Sequence, residues 1–262
     1  MAESDFITLR VVGIDWATEP KNRALVELYF DTLRRRIIIA QVTSPLSDDW
    51  VVRATRERAL SVVAVDVPFG WPQSFVQFVG AWSPGDRTQD RQLPPREDFS
   101  YRTTDLVVQK TVGKWPLSVS SDRIALGAFA WAKLVERNGL HEQVDWGVGR
   151  AGQSGPTIIE VYPAATLAAW VKASDLVIDG YKKDQQVRTT LLGCLFERFN
   201  VDCSADDATK LASTGKDSDK TDAFIAALTA LAYANEMGLS VSRPLPEQID
   251  TARREGWIFF PK

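Results

Sequence analysis

Three apolar, β-branched runs open the chain at residues 8–16, 23–30 and 36–43, and turn-forming residues part each from the next. Such runs predict three consecutive strands in a meander. Ser47 is placed to cap the next segment, where Trp50, Val51, Ala54 and Arg58 recur at helical spacing as far as Leu60. Residues 61–67 are apolar except for Asp66, a length suited to a buried fourth strand, and Pro68 ends it. Between 68 and 120 prolines gather and periodicity fades, which predicts an elaborated insertion with one short helix. The amphipathic pattern returns at 122–137 behind Ser121, offering Ile124, Leu126, Phe129, Trp131 and Leu134 for burial, with Gly139 past its end. Residues 157–162 form a fifth strand-like run, stopped by Pro163. Helical patterns then occupy 164–171, 184–199 and 218–237, and the apolar stretch 257–260 is expected to dock on the body. This order matches no repeat and no regular βαβ alternation. It predicts a single α/β domain over residues 1–262: a mixed five-stranded sheet flanked by helices, with the long insertion after its fourth strand.

Composition changes this picture mainly by exclusion. Apolar residues at 45% and charged residues at 25% are the mixture of a packed, water-soluble globule. No apolar stretch nears the roughly 18 residues of a membrane span. Residues 1–10 lack a signal peptide's apolar run, so the chain is expected in the cytoplasm with no membrane partner. A single histidine, His141, supplies too little imidazole for a zinc site or a serine–histidine–aspartate triad. Cys194 and Cys203 form no CxxC pair. At a net charge of −3 no global positive field draws in a phosphate backbone, so nucleic acid has to meet a local patch. Arg34, Arg35 and Arg36 form one basic run and Arg53, Arg56 and Arg58 another, each readable as such a patch or as a solvated face.

The candidate chemistry lies in acids set within apolar elements. Asp15 closes the first strand in Gly-Ile-Asp-Trp-Ala, and Asp66 closes the fourth in Val-Asp-Val-Pro. Burying an unpaired carboxylate is costly, so each needs a partner, a metal or an opening to water. Glu160, between Ile159 and Val161 in the fifth strand, poses the same question, with a buried salt bridge as the equal alternative. Asp219 and Asp222 share one face of the last helix's first turn and can reach a common ligand. They also suit the helix dipole, and Ser218 or Asp219 can serve as the cap. If the sheet is ordered as inferred, these acids converge. Repulsion within such a cluster calls for cations, and hard oxygen ligands suit Mg2+ or Mn2+. Two ions roughly 3.5 to 4 Å apart orient a phosphodiester for attack by water.

At these residues the chain resembles the family called domain of unknown function 429, whose members are predicted nucleases of ribonuclease H fold. The motifs are Gly-Ile-Asp-Trp-Ala at 13–17, Val-Asp-Val-Pro-Phe-Gly at 65–70, Arg102-Thr103-Thr104-Asp105 and Glu160-Val161-Tyr162-Pro163-Ala164. The helix start from Asp219 to Leu228 and Glu255-Gly256-Trp257-Ile258-Phe259 complete the set. More distantly, Asp222-Ala223 in an alanine-rich helix is similar to the final motif of Holliday-junction resolvases. Those enzymes usually carry glutamate where this chain has Asp66 and histidine where it has Asp219. The resemblance implies a ribonuclease H-like sheet and a nuclease or phosphodiesterase acting on DNA or RNA. Asp15 would bridge two Mg2+ or Mn2+ ions, Asp66 and Asp222 would hold one each, and Glu160 or Asp219 would order water. It also turns Arg102, otherwise half of a surface ion pair with Asp105, into a candidate clamp for substrate phosphate. Trp16 and Trp71, each following a carboxylate strand, are available to stack on bases or to pack in the core.

Other readings leave specific marks. Gly147 to Gly152 satisfies GxGxxG, but it precedes a strand, whereas a dinucleotide loop comes after one. Gly215-Lys216 lacks the remaining residues of a phosphate-binding P-loop. An ATP-dependent phosphotransferase of the actin and sugar-kinase superfamily would begin with a similar strand ending in aspartate. Phosphate must then approach backbone amides just after that acid, where Trp16 stands here. A nucleic-acid-binding module without chemistry is the third alternative.

Overall fold

A computed structural model of the chain describes residues 8–82, 93–149, 155–172, 179–212, 218–235 and 238–262. The meander is present as β1 (Thr8–Asp15), β2 (Ala24–Asp31) and β3 (Arg36–Thr43), paired antiparallel. After α1 (Asp48–Arg56) comes β4 (Val62–Asp66), which lies parallel to β1 on the side away from β2. Ser47 caps α1 as its sequence promises, its hydroxyl accepting from the Trp50 N–H at 3.3 Å. β5 (Thr157–Val161) adds parallel to β4.

Two strands exceed the expected five. β6 (Val201–Asp202) extends the sheet beside β3, and β7 (Ile258–Phe259) extends it beside β5, giving the order β6-β3-β2-β1-β4-β5-β7. Each is two residues long, too short for alternation to show. The insertion also holds more than one short helix: α2 (Gln73–Ala81), α3 (Arg96–Ser100) and α4 (Thr103–Val112).

The remaining helices are α5 (Asp122–Asn138), α6 (Pro163–Lys172), α7 (Gln185–Phe199), α8 (Ala205–Ala212), α9 (Asp219–Tyr233) and α10 (Ile249–Glu255). α5 ends at Gly139 in the left-handed conformation (φ 63°). Its predicted face is partly wrong. Trp131 and Leu134 are buried, but Leu126 and Phe129 are 56% and 61% exposed. Ser121 holds the N-cap position without capping, because its hydroxyl donates to the Ser118 carbonyl.

α9 is apolar on every side, the mark of a helix inside the protein. It packs on β1, β2 and β4, with α6 and α8 on its other flanks. Contact with β1 is backbone to backbone: a Cβ on Gly13 would lie 2.1 Å from the Ala223 carbonyl oxygen and 2.2 Å from the Ala227 nitrogen. Alternation then assigns sides. Val11 and Ala64 belong to the core under α9, while Val12, Ile14, Val63 and Val65 join α1 and α5 on the opposite face. Asp15 and Asp66 share the parity of Val11 and Ala64 and so fall on the α9 face.

The basic run of Arg34 to Arg36 sits at the β2–β3 turn. Register places Asp31 opposite Thr8 and Ala24 opposite Asp15, so this turn and Asp15 lie at opposite ends of β1. Arg34 pairs with Asp31 and Arg36 with Asp202, and Arg53, Arg56 and Arg58 are exposed. No helix among the described residues is long and apolar enough to cross a membrane.

Candidate active site

Asp15 and Asp66 are register partners at the carboxyl ends of two neighbouring parallel strands. Adjacent strands run about 4.8 Å apart, so the two carboxylates emerge side by side. Both line a cleft of about 710 Å3, walled by Trp16, Val67 and Tyr162 and by Leu117 and Leu126 from outside the sheet. Both are half-buried, and among the described residues no hydrogen bond or ion pair reaches either.

Asp222, in the first turn of α9, is treated differently. The Tyr181 hydroxyl donates to its Oδ1 at 2.6 Å. Its Oδ2 accepts from the Ser218 hydroxyl at 3.1 Å and pairs with the Lys182 ammonium at 3.0 Å. Ser218 therefore occupies the N-cap position without capping α9. Asp219 lies close enough for its charge to act on Asp15.

Burial, then the charges of Asp222, Asp66 and Asp219, hold the Asp15 carboxyl well above the usual carboxylate range. Burial pushes Asp66 up to about 7, against the pull of Lys182. For Lys182, burial opposes the charge, but Asp222 and Asp66, with Asp15 behind them, outweigh it and raise the ammonium above its ordinary value. The acids therefore share one electrostatic neighbourhood, although among the described residues no three histidine, cysteine or acidic side chains are grouped to hold a metal ion.

A raised carboxyl pKa sets the sign of a pH effect. The folded state keeps the Asp66 proton to about pH 7, while the unfolded chain releases it near 3.8. The associated stability is present below that lower value and fades as pH climbs to the upper one. Melting curves from pH 4 to pH 8 should thus fall more steeply for the wild type than for Asp66→Asn. Parallel curves would show that Asp66 is already ionised at low pH.

Glu160, a candidate for ordering water, takes instead the buried salt bridge that stood as its alternative, although it too borders the cleft. It lies in register with Val65, on the face opposite Asp66. Oε2 accepts from the Phe69 N–H at 2.9 Å and from Arg102 Nη1 at 3.0 Å, and Oε1 meets Arg102 Nη2 at 2.7 Å. Arg102, 1% exposed, is no surface residue. Its remaining N–H groups go to Asp105 Oδ1 at 2.9 Å, Asp105 Oδ2 at 3.2 Å and the Glu255 carbonyl at 3.1 Å. With its donors so engaged, none is left for a substrate phosphate.

Trp16 borders the cleft but is held edge to face against Trp131, 5.3 Å between centroids, with the Arg23 guanidinium 3.6 Å from its ring centroid. Trp71 is half-buried and does not line the cleft. The glycine loop has its own anion. Gly147 and Gly149 both donate to Asp145 Oδ1, at 2.9 and 2.8 Å. Residues 150–152 of that motif, like Gly215 and Lys216, lie outside the described residues.

Sequence reasoning missed Tyr181 and Lys182. They occupy a short turn before α7, which begins behind Asp184, whose carboxylate accepts from the Gln186 and Val187 N–H groups. No periodicity marks that turn. The sole local signal is a tyrosine and two lysines just ahead of a capping aspartate.

A family model described as "Protein of unknown function (DUF429)" matches residues 13–247. The chain belongs to the DUF429 family. No curated protein and no solved structure matched it. The DUF429 match begins at Gly13, where α9 meets β1, and takes in Asp15, Asp66, Lys182 and Asp222. It stops short of β7, whose Ile258 also lines the cleft.

Proposed function

We propose that this cleft hydrolyses nucleic-acid phosphodiesters with Mg2+ or Mn2+, on a sheet of ribonuclease H type. One observation carries the reading: two carboxylates with no hydrogen bond or ion pair among the described residues stand side by side in an open cleft, near enough to a third, Asp222, to feel its charge. The strand order supports the fold, since the first strand lies central, between the antiparallel meander and the parallel fourth and fifth strands.

The donor set fits a hard cation. Asp15 and Asp66 offer oxygen ligands with no ion pair among the described residues, the ligand type preferred by Mg2+ and Mn2+. Bound there, such an ion would supply Lewis acidity to a phosphoryl oxygen and acidify water. The chain's own part is to hold the two carboxylates at fixed spacing on rigid strand ends. Lys182 adds a positive charge for phosphate, and Leu117, Ile124 and Leu126 give one side of the cleft an apolar lining.

Asp15→Asn should lower Mg2+- or Mn2+-dependent cleavage of single- and double-stranded DNA or RNA by at least about 100-fold. Circular dichroism and melting temperature should show an intact fold, because removing a repelled charge does not weaken the core. Wild-type cleavage by the purified variant would refute the assignment.

A further inference from the structure

We infer that Lys182 stands in for one of the two cations expected at this cleft, so that the chain takes one divalent ion, between Asp15 and Asp66. The inference rests on the metal-dependent reading above and fixes how many ions that reading requires.

Asp222 is the first reason. Its carboxylate accepts from Tyr181, Ser218 and Lys182, and these three donors use most of the roughly four lone-pair directions that a carboxylate offers. Ligating a metal would require it to give up a partner.

Charge matching is the second reason. Lys182 already answers Asp222, whereas Asp15 and Asp66 have no ion pair among the described residues and would carry two negative charges once a bound ion displaced their protons. One divalent ion balances that pair. A second, placed against Asp222, would stand within a few ångströms of the ammonium and be repelled by it.

The lysine is also held where it is. Arg188, fully buried, donates from Nη1 to the Tyr181 carbonyl at 2.7 Å and from Nε to the Ala212 carbonyl at 2.8 Å. Asp184 fixes the other end of the turn by capping α7. The Lys182 ammonium thus projects from a pinned backbone into the cleft, with its side chain half-exposed. Unlike a metal ion, it cannot be removed by a chelator.

Mn2+ titration of the full chain by calorimetry, with electron paramagnetic resonance to detect spin-coupled pairs, tests this count. The wild type should bind about one ion per chain and show no coupled pair. Lys182→Met, which frees Asp222, should bind about two, and Lys182→Arg, which keeps the charge, should stay at one. Two ions in the wild type, or one in Lys182→Met, would overturn the role of Lys182 and leave metal-dependent hydrolysis standing. No Mn2+ bound by the wild type at millimolar ion would overturn both. If Lys182→Met does not fold, the wild-type count and Lys182→Arg still decide.

Discussion

Gly13→Ala should destabilise the chain by at least about 4 kcal/mol, beyond the roughly 1 to 3 kcal/mol of ordinary overpacking. Ordinary overpacking is relieved when a neighbouring side chain changes rotamer. Here the added methyl would meet the Ala223 carbonyl oxygen at 2.1 Å and the Ala227 nitrogen and Cα at 2.2 and 2.8 Å, all backbone atoms of α9. Either the helix leaves the strand or β1 leaves the sheet. For a chain of this size the expected drop in melting temperature is roughly 10 °C or more. Truncating Ala227 to glycine in the same chain should not restore it, because the three nearest atoms are backbone and remain. A melt within a few degrees of wild type would show that strand and helix are not so close. Gly13 and Asp15 lie two apart on one face, so the same approach sets the distance between Asp15 and the first turn of α9. On the proposed metal-dependent reading, any folded fraction should therefore bind Mn2+ more weakly.

Arg102→Met should cost about 3 to 5 kcal/mol, the range for removing one partner from a buried ion pair. The guanidinium lies between Asp105 and Glu160, and truncation leaves both acids buried without their cation. The loss should shrink as pH is lowered, because burial already raises the Glu160 carboxyl above its ordinary value and protonating it removes a stranded charge. Adding Glu160→Gln should recover part of it, a coupling on the order of 1 to 3 kcal/mol in a double-mutant cycle. Arg102→Lys should rescue poorly, since one ammonium cannot span two carboxylates and the Glu255 carbonyl. Urea denaturation at pH 5 and pH 8 reads all of this. Equal losses at both pH values would mean that packing, not charge, explains the cost.

How much the sequence disclosed depended on the range of each signal. The five long strands announce themselves through apolar, β-branched runs and through Pro68 and Pro163, and Ser47 and Gly139 act at the helix ends as their chemistry dictates. The pairing of Asp15 with Asp66 was also legible, because a carboxylate ending an apolar strand is conspicuous twice over. Val201 and Ile258 were not, since two residues carry no period. Arg102 looked like a surface charge because nothing local reveals that Glu160, 58 positions later, meets it. Ser218 precedes a helix in the manner of a cap, yet its hydroxyl turns to Asp222, a choice made by the cleft rather than by the helix. Leu126 and Phe129 have the spacing for burial but no element above them. Lys182 was invisible for the same reason as Glu160's partner: its role is defined by Asp222, 40 positions away in the chain but 3.0 Å away in space.

Glu255 accepts the Gln73 and Thr103 N–H groups, both at 2.8 Å, and three residues later Ile258 lines the cleft and pairs in register with Glu160. The pocket that holds Asp15, in the first strand, is thus closed on one side by a segment far along the chain, and it stays open-sided unless residues 255–260 are docked. Detaching that segment would uncover the buried side chains of Trp257, Phe259 and Phe260 together with the edge of β5, so core stability and pocket shape would be lost in one step.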